Sequence, residues 1–266
     1  MNITTVTLVY FSPTETTKKV LEGIAQGIQA DNVEHLNLTP YSATQQIFEE
    51  LHDELAIIGA PVYGGRIPSV AVKRLQRLKA NHTPAVVVAV YGNREYEDAL
   101  LELRDLATQA GFVPIAGGAF IGEHSFSTDE TPIAVGRPDT KDLKNAQEFG
   151  KMISEKLGEL QALEAMAPVK VPGNFPYKTR GESRPVSPTT RETLCTTCET
   201  CVSVCPTSAI TVNGSVLTDQ EACIVCCACI KNCPTGARVM EHVRIHQIAE
   251  WLSTNYSERK EPEMYV

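Results

Sequence analysis

The chain has 266 residues, of which 42% are hydrophobic and 21% charged, as expected for a globular protein with an apolar core. Acidic residues outnumber basic residues 32 to 24, which gives a formal net charge of −8. This balance argues against binding to nucleic acid or to an anionic membrane through bulk electrostatics. No apolar run approaches the roughly 18 residues that a membrane span needs. The first residues lack the basic region of a signal peptide, so we expect a cytoplasmic protein.

The first 163 residues alternate between strand patterns and helix patterns. Continuous apolar runs, which suit parallel strands buried on both faces, lie at 7–11, 55–59, 85–91 and 114–121, with a weaker candidate at 32–38. Apolar residues at helical spacing separate these runs. Five strands alternating with five helices predict a doubly wound α/β domain over residues 1–163.

The chain changes character after this domain. Residues 164–190 contain several prolines, which exclude a helix or a central strand and predict a linker: Pro168, Pro172, Pro176, Pro185 and Pro188. A cysteine-rich module follows at 191–238. Helical spacing returns in residues 239–266, which we interpret as a C-terminal helix and a charged tail.

All nine cysteines lie between Cys195 and Cys233. Clustering of this kind, in a chain without an export signal, indicates metal ligation rather than disulfides. Eight of them form two copies of the spacing C-x2-C-x2-C-x3-C-P, which is the run found in bacterial ferredoxins. The copies are Cys195, Cys198, Cys201 and Cys205, then Cys223, Cys226, Cys229 and Cys233. Zinc is the alternative, because paired C-x2-C spacings also serve zinc ribbons.

This module resembles a bacterial-type two-cluster ferredoxin along its whole length. The resemblance implies a small α+β domain with two [4Fe–4S] clusters, in which the fourth cysteine of each run ligates the other cluster. One cluster would be held by Cys195, Cys198, Cys201 and Cys233, and the other by Cys223, Cys226, Cys229 and Cys205. Cys227 fits neither run. We expect it to act as a small apolar side chain that fills space inside the module. The alternative is that it replaces one of the ligands during cluster conversion.

Three loops of the first domain follow predicted strands, where ligands bind in open α/β sheets. The first loop contains Ser12, Thr14, Glu15, Thr16 and Thr17 and leads into a helix. Hydroxyls and free N–H groups at a helix start favour a phosphate, although an ordinary cap uses the same residue types. The other two loops, 60–66 and 91–97, each place an aromatic residue beside glycine, which suits a flat ring.

Together these loops resemble the phosphate loop and the two isoalloxazine loops of flavodoxin, over residues 4–160. The resemblance implies a five-stranded parallel sheet in the order 2-1-3-4-5 and bound FMN. Ser12, Thr14 and Thr17 would bind the phosphate. Tyr63 and Tyr96 would sandwich the flavin, Gly64 would lie in the peptide that reorients on reduction, and Asn93 would lie near the pyrimidine edge. The expected contacts are Ser12, Thr14, Glu15, Thr16, Thr17, Pro61, Val62, Tyr63, Gly64, Gly65, Tyr91, Gly92, Asn93 and Tyr96.

The sequence does not decide the roles of two residues near this site. Glu15 stands where flavodoxins usually have glycine, so its carboxylate fits beside a phosphate only if it turns outward, and the backbone freedom of glycine is lost. His124 follows the fifth predicted strand at the same edge of the sheet. It is expected either to approach the flavin, to line the contact with the cysteine module, or to be structural.

The whole chain resembles a flavodoxin–ferredoxin fusion protein. This implies an electron-transfer protein that relays single electrons between FMN, two [4Fe–4S] clusters and low-potential redox partner proteins, docking its acidic surface on basic patches. Direct use of NAD(P)H is not supported, because no Gly-x-Gly-x-x-Gly fingerprint is present. The alternatives are an FMN-dependent reductase of a small molecule, fed by the clusters and using His124 as its acid, and a redox or iron sensor.

Overall fold

The computed structural model describes residues 3–52, 55–159, 169–181 and 185–266. Its strands are β1 (Thr5–Tyr10), β2 (Asn32–Asn37), β3 (Leu55–Pro61), β4 (Thr83–Tyr91), β5 (Phe112–Ile121), β6 (Thr189–Thr190), β7 (Ile210–Asn213), β8 (Ser215–Thr218), β9 (Arg238–Val239) and β10 (Glu263–Tyr265). Its α-helices are α1 (Thr16–Ile28), α2 (Ser69–Leu75), α3 (Ala99–Gln109), α4 (Thr140–Glu159), α5 (Thr200–Ser203), α6 (Ala228–Lys231) and α7 (Val243–Asn255).

A six-stranded sheet in the order β10-β5-β4-β3-β1-β2 organises the first domain. The pairs among β1 to β5 are all parallel, so the predicted order 2-1-3-4-5 is confirmed. The sixth strand comes from the C-terminal segment, where a charged tail was expected. It pairs antiparallel with β5, and Met264 lies opposite Gly118. Where a helix was expected between β2 and β3, the described residues form a 3-10 turn at Tyr41–Thr44.

The central strands are buried on both faces, as their unbroken apolar sequence predicts. Val86 and Val88 of β4 pack into the layer that contains α1 and α4, whereas Val87 packs into the layer on the opposite face. Helices α1 and α4 approach closely at glycines. A Cβ atom built on Gly27 would lie 1.9 Å from the carbonyl oxygen of Gln147, so no larger residue fits this crossing.

Residues 169–181 of the proline-rich segment lie along α3. Asp98 accepts hydrogen bonds from the backbone N–H groups of Asn174 at 2.8 Å and Lys178 at 2.6 Å. The hydroxyl of Tyr177 donates to Asp105 at 2.6 Å. These bonds fix the segment on the first domain. Pro168, the last residues of the predicted long helix and the stretch 182–184 lie outside the described residues.

The cysteine module consists of two similar halves. Each half places a four-residue helix after its second cysteine, α5 after Cys198 and α6 after Cys226. The residue before each helix has the same left-handed backbone, with φ of 59° at both Glu199 and Cys227. The sequence repeat is therefore also a structural repeat. The pair β7–β8 forms a hairpin, and β6 pairs with β9.

Several contacts attach the cysteine module to the first domain. The buried Arg74 of α2 donates to the carbonyl oxygen of Pro206 at 2.5 Å. Lys231 at the end of α6 forms an ion pair with Glu123 at 2.6 Å. After α7 the chain returns to the sheet edge as β10. Among the helices of the described residues, none has both the length and the apolar character to cross a membrane.

Candidate redox site

A cavity of about 230 Å³ opens at the carboxyl ends of β3, β4 and β5. We call it the sheet-edge cavity. Its lining includes eight of the expected FMN contacts, which are Thr14, Thr16, Pro61, Val62, Tyr63, Gly64, Tyr91 and Gly92. The remaining lining residues are Val90, Gly122, Glu123, His124, Ser125 and Phe126 from the first domain and Ile224 and Val225 from the cysteine module. The cysteine module thus forms part of the wall.

The loop before α1 presents an anion-binding helix start. Glu15 has the left-handed backbone that glycine adopts readily, with φ of 62°, and its carboxylate pairs with Lys18 at 2.9 Å on the outside. The outward turn that a phosphate requires is therefore present. Ser12 is buried and accepts the N–H of Lys18 at 3.1 Å, so it caps the helix. Thr17 is fully buried, and its hydroxyl has no hydrogen-bond partner among the described residues.

Tyr63 lies between the sheet-edge cavity and the second cysteine run. Its loop is a tight turn, in which Tyr63 donates its N–H to the carbonyl of Arg66 at 2.8 Å while Gly64 adopts φ of 60°. Burial raises the pKa of the Tyr63 hydroxyl well above its ordinary value. The nearby Cys226 and Cys227 raise it further, because negative charge on their sulfurs would repel a phenolate.

The third loop does not contribute the residues that the sequence predicts. The Asn93 amide donates to the carbonyl oxygens of Tyr256 at 2.6 Å and Glu258 at 2.8 Å. The Tyr96 hydroxyl bonds Glu263 at 2.9 Å, and neither residue lines the cavity. The expected sandwich by Tyr63 and Tyr96 and the expected place of Asn93 stay predictions, but in this structure the C-terminal segment occupies the loop that carries Asn93 and Tyr96.

Gly65 also lies off the cavity, because its backbone packs against the Glu97 side chain. A Cβ atom on Gly65 would come 2.2 Å from Glu97 Oε2. The backbone at this position has φ of 84°, which is the left-handed region that favours glycine. Gly65 therefore shapes the turn that carries Tyr63 and does not contact the space beside it.

His124 lines the sheet-edge cavity and is held in one tautomer. Its Nδ1 accepts the backbone N–H of Phe126 at 3.0 Å, so in the neutral ring Nε2 carries the proton. Burial lowers the pKa of His124, and together with the positive charges of Arg94 and Lys231 it brings this pKa to about 4. At neutral pH this residue is a neutral hydrogen-bond donor.

The eight cysteines of the two C-x2-C-x2-C-x3-C runs surround two small cavities. The first cysteine cavity is lined by Cys195, Cys198, Cys201 and Cys233. The second is lined by Cys205, Cys223, Cys226 and Cys229, with Cys227 beside them. Each cavity thus gathers three cysteines of one run and the last cysteine of the other run. Within the described parts of the chain, no three His, Cys, Asp or Glu side chains could hold a single metal ion.

The two cysteine cavities differ in exposure. Cys198 is exposed at the first cavity, whereas Cys226 and Cys229 at the second are each 7% exposed. Arg238 lines the first cavity and approaches the Cys229 sulfur of the second at 3.9 Å. Its guanidinium is buried, and it offsets the negative charge that ligating thiolates would bring to both cavities.

Residues 188–246 match the family model of a 4Fe-4S dicluster domain. No curated protein matches the chain. Similar solved structures include a flavodoxin from the domain Archaea, with 15% identity and a TM-score of 0.38, covering 58% of this chain and 99% of that chain. Flavodoxin 2 from Bacillus cereus has 14% identity and a TM-score of 0.42, covering 57% and 99%. Fusobacterium nucleatum flavodoxin bound to flavin mononucleotide has 15% identity and a TM-score of 0.39, covering 57% and 98%.

The 4Fe-4S match and the sheet topology support a redox or electron-transfer role for the chain. The sheet has the strand order of flavodoxin-like folds, and the dicluster segment follows it in the sequence. This order of a doubly wound sheet and a 4Fe-4S dicluster segment is consistent with a flavodoxin–ferredoxin fusion.

Proposed function

We propose that this chain is an electron-transfer protein that binds FMN in the sheet-edge cavity and two [4Fe–4S] clusters in the cysteine cavities. It relays single electrons between these groups and redox partner proteins. The observation that carries the proposal is the shared wall of the sheet-edge cavity, which the flavodoxin-like domain and the loop between Cys223 and Cys226 build together.

The residues at the sheet-edge cavity fit a flavin nucleotide. The start of α1 supplies N–H groups without helical partners and the hydroxyls of Thr14 and Thr16, which a phosphate can bond. Tyr63 supplies an aromatic face, and Gly64 leaves room for a flat ring to lie against the backbone, because a Cβ atom built there meets no atom of the described residues within 4 Å. Bound FMN would accept or release electrons one at a time.

The cysteine cavities fit two cubane clusters with crossed ligands. Cys233 joins Cys195, Cys198 and Cys201, while Cys205 joins the three first cysteines of the second run. Ligation requires thiolates, and the buried Arg238 supplies a positive charge that favours them. The short helices α5 and α6 hold the runs in equivalent conformations.

Protein purified without oxygen tests this proposal. We expect one FMN, about eight iron and about eight sulfide per chain, with a visible spectrum that combines flavin and iron–sulfur absorption. The zinc content of this protein should be well below one atom per chain. Colourless protein with stoichiometric zinc contradicts the assignment of the cysteine cavities, and protein that does not bind added FMN contradicts the assignment of the sheet-edge cavity.

One observation favours the alternative of a small-molecule reductase. A second cavity of about 410 Å³ shares Ser125 and Phe126 with the sheet-edge cavity. The neutral His124 opposes this alternative, because a ring with a pKa of about 4 is rarely protonated at neutral pH and makes a poor proton source. Turnover of quinones or nitroaromatics well above the rate of free FMN would favour the reductase.

A further inference from the structure

The second cysteine cavity shares a lining residue with the sheet-edge cavity, whereas the first cysteine cavity shares none among the described residues. Ile224 and Val225, which lie between Cys223 and Cys226, line the sheet-edge cavity, and Ile224 also lines the second cysteine cavity. The matching residues of the first run are Thr196 and Thr197. They line the first cysteine cavity, and the described residues around the sheet-edge cavity do not include them. Only the second run therefore faces the proposed flavin site.

The second cysteine cavity is also the one fixed to the first domain. Pro206, directly after Cys205, accepts a hydrogen bond from the buried Arg74 at 2.5 Å. Lys231, at the end of the helix α6 that carries Cys229, bonds Glu123 at 2.6 Å and the carbonyl of Ser127 at 3.1 Å. These contacts attach the chain next to Cys205 and next to Cys229, which both line the second cavity.

Ile224 connects the two cavities, because it lines both of them. Tyr63 lines the sheet-edge cavity from the first domain. The space between the proposed flavin site and the second cysteine cavity thus includes the Ile224 side chain. Filled space of this kind supports electron transfer, whose rate falls steeply with distance and with gaps in the packing.

The first cysteine cavity lies at the solvent side of the module. Cys198 is exposed, and Cys195 and Cys233 are partly exposed. The neighbouring Leu194 is 46% exposed, an apolar side chain on the surface directly before Cys195. A partner protein can approach this site closely, whereas the second site is screened by the first domain.

We infer that the second-run site exchanges electrons with FMN and that the first-run site exchanges electrons with partner proteins. This inference rests on the proposed function. In one direction, each electron that leaves reduced FMN reduces the second-run cluster by one electron. It passes to the first-run cluster, and a one-electron acceptor protein takes it up. In the other direction, a one-electron donor protein is oxidised and the same sites are used in reverse.

Two variants at matched positions test this order. Cys226→Ser removes a ligand from the second site, and Cys198→Ser removes its counterpart from the first. The readouts are FMN fluorescence, which a nearby cluster quenches, and bleaching of the remaining cluster after flash reduction of FMN. Cys226→Ser should raise the fluorescence several-fold and abolish the fast bleaching. Cys198→Ser should leave the FMN fluorescence and the fast bleaching as in the wild type. It should instead slow electron delivery to cytochrome c, a basic acceptor protein.

A second pair leaves the ligands intact and guards against misfolding. Ile224→Ala should weaken FMN binding and raise FMN fluorescence, while its counterpart Thr196→Ala should change neither. Equal effects within either pair, or effects in the opposite order, overturn the inference. If wild-type protein with FMN and both clusters shows no bleaching at all after flash reduction, the proposed function itself fails.

Discussion

Tyr63 and Tyr96 follow neighbouring strands of one sheet, yet they lie in different environments. Tyr63 lines the sheet-edge cavity, whereas Tyr96 bonds the C-terminal strand. Stacked aromatic rings contribute roughly 0.5–1.5 kcal/mol beyond the area that they bury. We therefore expect Tyr63→Ala to lower FMN affinity by up to about tenfold, measured by titrating flavin-free protein with FMN.

Tyr96→Phe is the matched control for this prediction. It removes the hydroxyl that bonds Glu263 and keeps the ring that packs on Tyr91 at 5.4 Å. FMN affinity should stay at the wild-type value. A loss of FMN affinity in Tyr96→Phe would mean that the Tyr96 hydroxyl contacts the flavin, because the ring is unchanged.

The lowered pKa of His124 leads to a prediction of how the stability of the protein depends on pH. Its pKa is about 4 in the folded protein and about 6.5 when unfolded. Between these values the unfolded chain binds more protons, so the free energy of unfolding falls as the pH decreases through this range. From about pH 7.5 to about pH 5.5 we expect His124 to account for a loss of about 1 kcal/mol.

His124→Gln should remove this part of the pH dependence. The measurement is denaturant unfolding of wild type and variant, both saturated with FMN, at the two pH values. The wild type should lose more stability between them than the variant does. Parallel losses would show that His124 is already protonated or already exposed in the folded protein.

Cys205 distinguishes crossed ligands from two independent four-cysteine sites. It lines the cavity of the second run, although it belongs to the first. We expect Cys205→Ser combined with Cys223→Ser to damage one cluster and leave about four iron per chain. Cys205→Ser combined with Cys195→Ser should damage both clusters and leave less iron. Iron and sulfide analysis reads the difference, and the reverse pattern would establish two separate sites.

At the scale of elements, the C-terminal segment and the loop after β4 hold each other in place. The Asn93 amide donates to two backbone carbonyls of this segment, and the Lys260 ammonium donates to the carbonyl of Arg94 at 2.6 Å. Asn93→Asp would set a carboxylate against two carbonyl oxygens and remove both donors. We expect it to cost roughly 1–3 kcal/mol and to release the segment.

Hydrogen exchange of the residues in 256–265 measures this release. Asn255→Asp is the control, because its amide bonds only the Trp251 carbonyl within its own helix and lies on the exposed side of α7. The amides of 256–265 should exchange faster in Asn93→Asp and at the wild-type rate in Asn255→Asp. Unchanged protection in Asn93→Asp would contradict the proposed attachment.

The same elements show how far the sequence determines the fold and the site. Strands β3, β4 and β5 are apolar along their whole length, and local sequence alone predicts them to within two residues at each end. Strand β10 has three residues without an apolar pattern, and its pairing depends on a partner more than 140 residues away. The bonds of Asn93 and Tyr96 to this segment were not predicted, since a sequence pattern carries no sign of which distant segment covers a loop.

The cysteine spacing predicted its site better than the flavin loops did, because closely spaced ligands determine the local backbone by themselves. Three ligands within seven residues fix a local loop whatever surrounds it. The flavin loops depend instead on the arrangement of the whole sheet edge. The contribution of Ile224 and Val225 to the sheet-edge cavity had no local signal, although an apolar pair between cysteine ligands is a feature that could have indicated a buried face.

At the scale of the whole molecule, the two modules share the wall of the sheet-edge cavity. The buried Arg74, the Lys231–Glu123 ion pair and the C-terminal strand attach the cysteine module at three separate places. Covalent linkage alone would raise the effective concentration of one module near the other. These contacts go further, because they fix which cysteine run faces the sheet edge.

Flash reduction of FMN at several protein concentrations tests the central claim most directly. The claim is that electrons pass between FMN and the clusters within one chain. After a flash that reduces the flavin, the iron–sulfur absorption should bleach in a first-order process whose rate constant does not change with protein concentration. A rate that rises in proportion to protein concentration, or an absence of bleaching in fully loaded protein, would contradict the account.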